Sequence, residues 1–144
     1  MGGEPWSYFV PYVPDFQTAL EQLREREFTA GRYNPASGYE GTYGGGLPVD
    51  ERPSTIEEAR ELADADGTRS ILDMDRVGDE ADYGVARRLS PAELQNYFGS
   101  TEPTRQAIDQ AEFWEDIERG QGICCTVYEN GKPTELFFAG YSYD

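Results

Sequence analysis

Asn130-Gly131 separates two runs rich in β-branched, aromatic and sulfur-bearing residues, and this dipeptide constrains the fold more than any other feature of the chain. A two-residue type I′ loop needs positive φ at both positions, which Asn and Gly tolerate best, so the pair specifies a tight hairpin. Centred on that loop, Ile123 faces Phe138, Cys125 faces Leu136 and Val127 faces Thr134, which puts these six on one face. Cys124 then pairs with Phe137 on the other face, which also reads as partly covered. Pro133 falls opposite Tyr128 in a non-hydrogen-bonded pair, so the second strand is expected to be an edge there.

Other elements follow from spacing and punctuation. Trp6 to Val13 is aromatic and β-branched and reads as a strand, with Pro11 marking an edge, a bulge or a strand end. Phe16, Leu20 and Leu23 recur at helical spacing and predict a helix over about 14–30, with Pro14 in its first turn and Gly31 stopping it. Ser54-Thr55-Ile56-Glu57 reads as a capping box opening a helix whose apolar face is Ile56, Ala59 and Ala63. Strands are predicted over 69–77 and 83–89, around an acidic turn at 78–82. Ser90-Pro91-Ala92-Glu93 is the best helix start: Ser90 caps, Pro91 takes the first helical position and Leu89 staples to Leu94. A fourth helix is predicted over 103–119.

This order predicts an α+β fold, with a mainly antiparallel sheet of about five strands, about four helices packed against it, and a C-terminal β-hairpin. At 144 residues the chain has the size of a single domain spanning 1–144. Its 38% apolar content is low, but 7 Phe, 10 Tyr and 2 Trp bury large areas per residue. Residues 32–53 have no period and interleave Gly38, Gly41, Gly44, Gly45 and Gly46 with Tyr33, Tyr39 and Tyr43, which reads as a long loop of the kind that carries function.

Composition excludes more than it assigns. There are 28 Asp and Glu against 12 Lys and Arg, a net charge of −16, and no histidine. Such a surface repels phosphate backbones and anionic lipid, so neither nucleic acid nor membrane is an expected partner. The missing imidazole removes the commonest acid–base group and metal ligand near neutral pH. Asp64-Ala65-Asp66-Gly67 has the centre of a calcium loop, but Leu62 stands at the first ligand position and Asp73 replaces the final Glu. Paired carboxylates alone do not make a glycosidase, which also needs a deep sugar cleft. No nucleophile elbow, P-loop or dinucleotide fingerprint occurs. No catalytic residue, metal or cofactor is therefore assigned, and the residues favour a non-enzymatic role. Cys124 and Cys125 are adjacent and read as two small apolar strand residues rather than a redox pair. With no disulfide framework, no signal-peptide pattern and no long apolar run, a cytoplasmic location is expected.

The strings Trp6-Ser7-Tyr8-Phe9-Val10-Pro11-Tyr12, Glu118-Arg119-Gly120-Gln121-Gly122 and Phe137-Phe138-Ala139-Gly140-Tyr141-Ser142 resemble those of a small family of uncharacterised bacterial acidic proteins. The resemblance implies a bacterial source and no activity.

Three readings remain. In the first, the chain is an inhibitor- or immunity-like interaction domain that presents Asp73, Asp75, Asp79, Glu80 and Asp82 to a basic protein, with Tyr39 and Tyr43 as aromatic anchors. In the second, the glycine- and tyrosine-rich loop is a lid over a small-molecule site or active site, lined by Arg32, Tyr33, Tyr39 and Tyr43 with Glu40 as acid or base. In the third, the acidity serves solubility alone.

Overall fold

Nearly every residue from Gly122 to Val127 and from Leu136 to Gly140 is buried, whichever way its side chain points, so both faces of these strands must be covered. The computed structural model describes residues 3–34, 53–63 and 66–143. In chain order these form β1 (Pro5–Pro11), α1 (Phe16–Ala30), α2 (Ile56–Ala63), β2 (Arg76–Gly78), β3 (Val85–Arg88), α3 (Pro91–Phe98), α4 (Arg105–Gln110), β4 (Gly122–Glu129) and β5 (Lys132–Tyr141). Single 3-10 turns lie at Ile71–Asp73 and Trp114–Asp116. The fold is α+β.

The five strands form one sheet in the order β1-β5-β4-β3-β2. β1 and β4 run antiparallel to β5, whereas β3 is parallel to β4 and β2 parallel to β3. The sheet is therefore mixed, which corrects the expectation of a mainly antiparallel one. Between β3 and β4 the chain passes through α3 and α4, long enough for a parallel return. Between β2 and β3 it has only residues 79–84, and these make an excursion rather than a hairpin turn. The chain doubles back and turns at Gly84, whose φ is +74° and whose carbonyl accepts from Asp75 N at 2.6 Å and Arg76 N at 3.2 Å. Val85 then re-enters beside Arg76.

One face packs Trp6, Leu20, Leu23, Ile71, Cys124 and Phe138 together under α1 and the 71–74 turn. The other packs Ile108, Phe113, Ile117, Cys125 and Phe137 under α4 and the segment that follows it. Fully buried side chains such as Leu20 and Phe138 each contribute about 1.5–3 kcal/mol from their removal from water.

The hairpin turns as expected, with Asn130 at φ +54° and Gly131 at +76°. Tyr128↔Pro133 and Glu129↔Lys132 also pair as read from the sequence. The register then slips by one residue between Val127 and Tyr128, so Val127 faces Glu135, Cys125 faces Phe137 and Ile123 faces Ala139. This overturns the pairing of Ile123 with Phe138 and of Cys125 with Leu136, and sends Leu136 and Phe138 to the face of Cys124. At the bulge, Tyr128 N donates to Pro103 O at 2.8 Å, and Thr134 O accepts from Tyr12 N at 3.2 Å. Both bonds compensate the broken ladder. β5 is interior overall, but β1 pairs with it only as far as Pro11↔Glu135, so Pro133 has no second neighbouring strand to supply.

Helix ends differ in detail. α1 begins after Asp15, whose carboxylate accepts from Thr18 N at 3.1 Å, and Pro14 lies just outside. α2 is capped by Thr55, whose hydroxyl accepts from Glu58 N at 3.1 Å, one residue later than the expected Ser54 box. The α3 capping box between Ser90 and Glu93 is present, with Pro91 leading the helix. The predicted fourth helix stops at Gln110, because Ile108, Phe113 and Ile117 are the residues that reach the sheet. A spacing of five between the first two breaks the helical period. The predicted strand over 69–77 shrinks to β2, because Thr68 to Asp73 is taken up by side-chain bonds described below.

Tyr12 N donates to Thr134 O and Ser142 N to Glu4 O, so even-numbered residues of β1 bond to β5 and odd-numbered N–H groups face the open side. Pro5 and Pro11 are odd-numbered and cost the ladder nothing. Gly140 lies between Trp6 on β1 and Gly122 on β4, and the Trp6 ring lies across both glycines.

Candidate functional site

The five acids singled out from the sequence do not form one surface. Asp73 is only 1% exposed. Its Oδ1 accepts from Thr68 N at 2.7 Å and Thr68 Oγ1 at 2.8 Å, and its Oδ2 accepts from Ser142 Oγ at 2.7 Å. Ser142 Oγ in turn accepts from Arg69 N at 3.0 Å, fixing Arg69 at a left-handed φ of +54°. This network binds the C-terminal segment to the 66–73 turn, so Asp73 is structural. Asp75 pairs with Arg60, whose other terminal nitrogen donates to Asp73 O at 3.3 Å. Burial works against the Arg60 charge, but the bond to Asp75 outweighs it and raises the guanidinium above its ordinary range. Asp79 holds Arg88 through two bonds of 2.8 and 3.1 Å, and this contact keeps its carboxyl below the ordinary range.

Glu80 and Asp82 remain. Both are exposed, and neither has an ion-pair partner among the described residues. Asp82 Oδ1 accepts from the neighbouring Tyr83 N at 2.8 Å. Tyr39, Tyr43 and Glu40 lie outside the described residues.

A second acidic stretch adjoins these two. Asp109, Glu112, Glu115, Asp116 and Glu118 are all exposed, with no basic residue from 106 to 118. Phe113 and Ile117 are buried against the sheet and turn the carboxylates outward. Trp114 is half-buried, stacked on Phe113 at 5.0 Å and edge-on to Tyr141 at 5.4 Å. Tyr97 Oη donates to Asp116 Oδ2 at 2.6 Å, and that bond, with burial, pushes the phenol up to about 12. The stretch reaches the β2–β3 connection through Gly84 N, which donates to Gly120 O at 2.8 Å. Tyr83, 63% exposed, rests on Gly120 and lies 6.1 Å from the Tyr143 ring. The Gly84–Gly120 bond thus joins the end of the acidic segment, beyond the exposed Arg119, to the connection that carries Asp82 and Glu80. The helix predicted over 103–119 hides this stretch, although its five acids in ten residues without a base are plain in the sequence.

Of the residues assigned to the lid reading, Arg32 and Tyr33 fall among the described ones and are engaged within the fold. Arg32 grips Glu27 through bonds of 2.9 and 2.8 Å, with Arg26 adding a third at 3.1 Å. Burial pushes the Glu27 carboxyl up, but the two arginines outweigh it and hold it below the usual range. Tyr33 is buried and stacked on Phe28 at 5.7 Å. An open recess of about 410 Å³ is lined by Arg60, Glu61, Gly67, Asp73 and Tyr143. Asn34 stands beside it, its side chain donating to Gly67 O at 3.2 Å. Among the described residues no group of three or more His, Cys, Asp or Glu is placed to hold a metal ion. Asp64 lies outside them, and Asp73 is engaged as above.

Cys124 and Cys125 are buried on opposite faces. Burial pushes the Cys125 thiol up to about 12, and burial with the neighbouring thiol pushes Cys124 higher still. Both stay protonated at pH 8, and the thiolate is the reactive form. A disulfide-exchange reagent such as Ellman's is expected to label neither cysteine in the native protein and both after denaturation. Fast native labelling of either would show that its strand opens.

No described helix is long and apolar enough to cross a membrane. Compared with protein-family models, curated proteins and solved structures, the chain matches none of them, so a functional reading rests on the geometry above.

Proposed function

We propose that this chain is an acidic interaction module that binds a basic protein surface, in the manner of small inhibitor or immunity proteins. What supports it most is the fate of its cations. Of 12 basic residues, at least six, Arg26, Arg32, Arg60, Arg87, Arg88 and Arg105, are paired with acids of the same chain. The acids from Asp109 to Glu118, with Glu80 and Asp82, are left to face solvent. Their summed field draws in a basic partner and rejects acidic ones. Tyr83 and Trp114 supply the aromatic area that charge alone lacks, since aromatic residues dominate binding energy at interfaces. Asp73, Asp75 and Asp79, tied up within the fold, take no part.

Capture from a lysate with the purified chain as bait tests this, at ~0.05 M and ~0.5 M salt, where exposed charges are largely screened at the higher value. A basic protein is expected at low salt and absent at high salt. Its capture is expected to fail with the combined variant Glu80→Gln, Asp82→Asn, Glu112→Gln, Glu115→Gln, Glu118→Gln and to survive Glu21→Gln with Glu25→Gln on α1. Equal capture by both variants, or no specific capture, would sink the reading.

A further inference from the structure

We propose that the outer edge of β1, with which no strand among the described residues pairs, joins a second copy of this chain, antiparallel, about a two-fold axis through Tyr8. The two edges of the sheet are built differently. β2 is three residues long, begins with the charged Arg76, and has its Val77 N–H taken by Gln17 Oε1 at 2.8 Å. Those are the usual devices that blunt an edge. β1 is seven residues long, Pro-Trp-Ser-Tyr-Phe-Val-Pro, with no charge in a chain where 28% of residues are charged.

Its outward-facing groups have a pattern that matches itself. The even-numbered residues bond to β5, so the open side presents the N–H of Ser7 and Phe9, and the carbonyls of Pro5, Ser7, Phe9 and Pro11. Pro5 and Pro11 have no N–H to offer. The donors lie symmetrically about Tyr8, and the prolines lie symmetrically outside them. An antiparallel copy centred on Tyr8 brings Ser7 opposite Phe9 of the second copy and Phe9 opposite its Ser7. Each pair exchanges two backbone bonds, so all four donors are satisfied. Pro5 then meets Pro11 of the second copy, where neither strand has a donor left, and the pairing ends. A two-fold contact requires this kind of self-complementarity, and a one-residue slip of register destroys it. Pro5, Ser7 and Pro11 are exposed, and Arg105 covers the Phe9 ring from the face at 4.1 Å rather than from the edge.

Charge sets the conditions. Two copies at −16 repel, so association is weak at low salt and strengthens as salt screens them. That dependence is opposite in sign to capture of a basic partner, so the two proposals stand or fall separately.

Sedimentation equilibrium of the full chain at ~0.05 M and ~1 M NaCl tests this, up to about 1 mM protein, beyond which a contact is no longer specific. A monomer–dimer equilibrium that tightens with salt is expected. Ser7→Pro removes two of the four bonds while leaving the β1–β5 ladder intact, and is expected to weaken the dimer by about tenfold or more. Ser7→Glu, an exposed change that keeps the N–H, adds like charges beside the axis and is expected to weaken it in a salt-dependent way. Circular dichroism checks that both variants fold. A monomer under all conditions, a dimer that high salt dissociates, or a dimer indifferent to both variants would overturn the proposal.

Discussion

Asp73→Ala is expected to destabilise the fold by about 2–4 kcal/mol, a large share of the 5–15 kcal/mol typical of a domain. Three donors converge on this carboxylate: Thr68 N, Thr68 Oγ1 and Ser142 Oγ. Alanine leaves Thr68 N without an acceptor, while Thr68 Oγ1 and Ser142 Oγ keep only Ser70 Oγ at 2.9 Å and Asp66 O at 3.0 Å, and an orphaned buried group costs about 1–3 kcal/mol before any relaxation. Graded variants separate the network from simple loss of packing. Asp73→Asn keeps the volume and one acceptor oxygen, and the Ser142 hydroxyl can rotate to accept from the new amide, so a cost of about 1–3 kcal/mol is expected. Ser142→Ala removes one donor to Asp73 and the acceptor of Arg69 N, with a similar cost expected. Glu80→Gln, on the exposed connection nearby, should stay within about 0.5 kcal/mol of the parent. Urea denaturation followed by circular dichroism measures all four. An alanine variant within about 1 kcal/mol of the parent would show that the network does not hold the C-terminal segment.

Gly140→Ala should be nearly as damaging, at about 3 kcal/mol, for a steric reason rather than a polar one. A Cβ at Gly140 would run into the Trp6 ring and lie 2.5 Å from Gln121 O. Neither neighbour can give way: Trp6 is a buried ring at the centre of one core face, and the carbonyl is backbone. Gly122, directly across the ladder, has the same ring 3.0 Å from its missing Cβ. The two glycines together form the slot into which the indole fits. Trp6→Phe shortens the ring, so it should recover part of the loss in the Gly140→Ala background, giving a coupling of about 1 kcal/mol or more in a double-mutant cycle. Strictly additive costs would place the clash elsewhere. Gly99→Ala is a useful contrast, since nothing lies within 4 Å of its missing Cβ and only its φ of +75° resists the change. A cost of about 1 kcal/mol is expected there.

The features legible in the sequence are those written in a few adjacent residues. Ser90-Pro91-Ala92-Glu93 needs only its own backbone to cap a helix, and Asn130-Gly131 needs only its own dihedrals to make a turn; both formed as read. Features that depend on distant partners were not legible. The bulge at Val127 and Tyr128 is compensated by Pro103 and Tyr12, from two other parts of the chain, so local pairing rules leave the register beyond it one residue out. The parallel β2–β3 pairing is closed by Gly84 bonding both to residues 75–76 and to Gly120. The acids illustrate the same divide. Their number and density were plain, but whether a carboxylate is buried like Asp73, paired like Asp79 or bare like Glu80 depends on where Ser142, Arg88 and the solvent lie. That information is tertiary.

The strand order also affects how the chain is made. β5 sits between β1 and β4, yet it is the last strand synthesised, and β1 is the first. During translation the Pro5–Pro11 segment therefore waits with both of its sides unpaired while the rest of the sheet emerges. Contacts between such distant segments slow folding, since the long intervening loop must close before any bond rewards it. An uncharged strand left bare for that interval is an aggregation hazard. Nearly all of the chain's acids lie between these two strands, and like charges oppose the association of chains whose sheet has not yet closed.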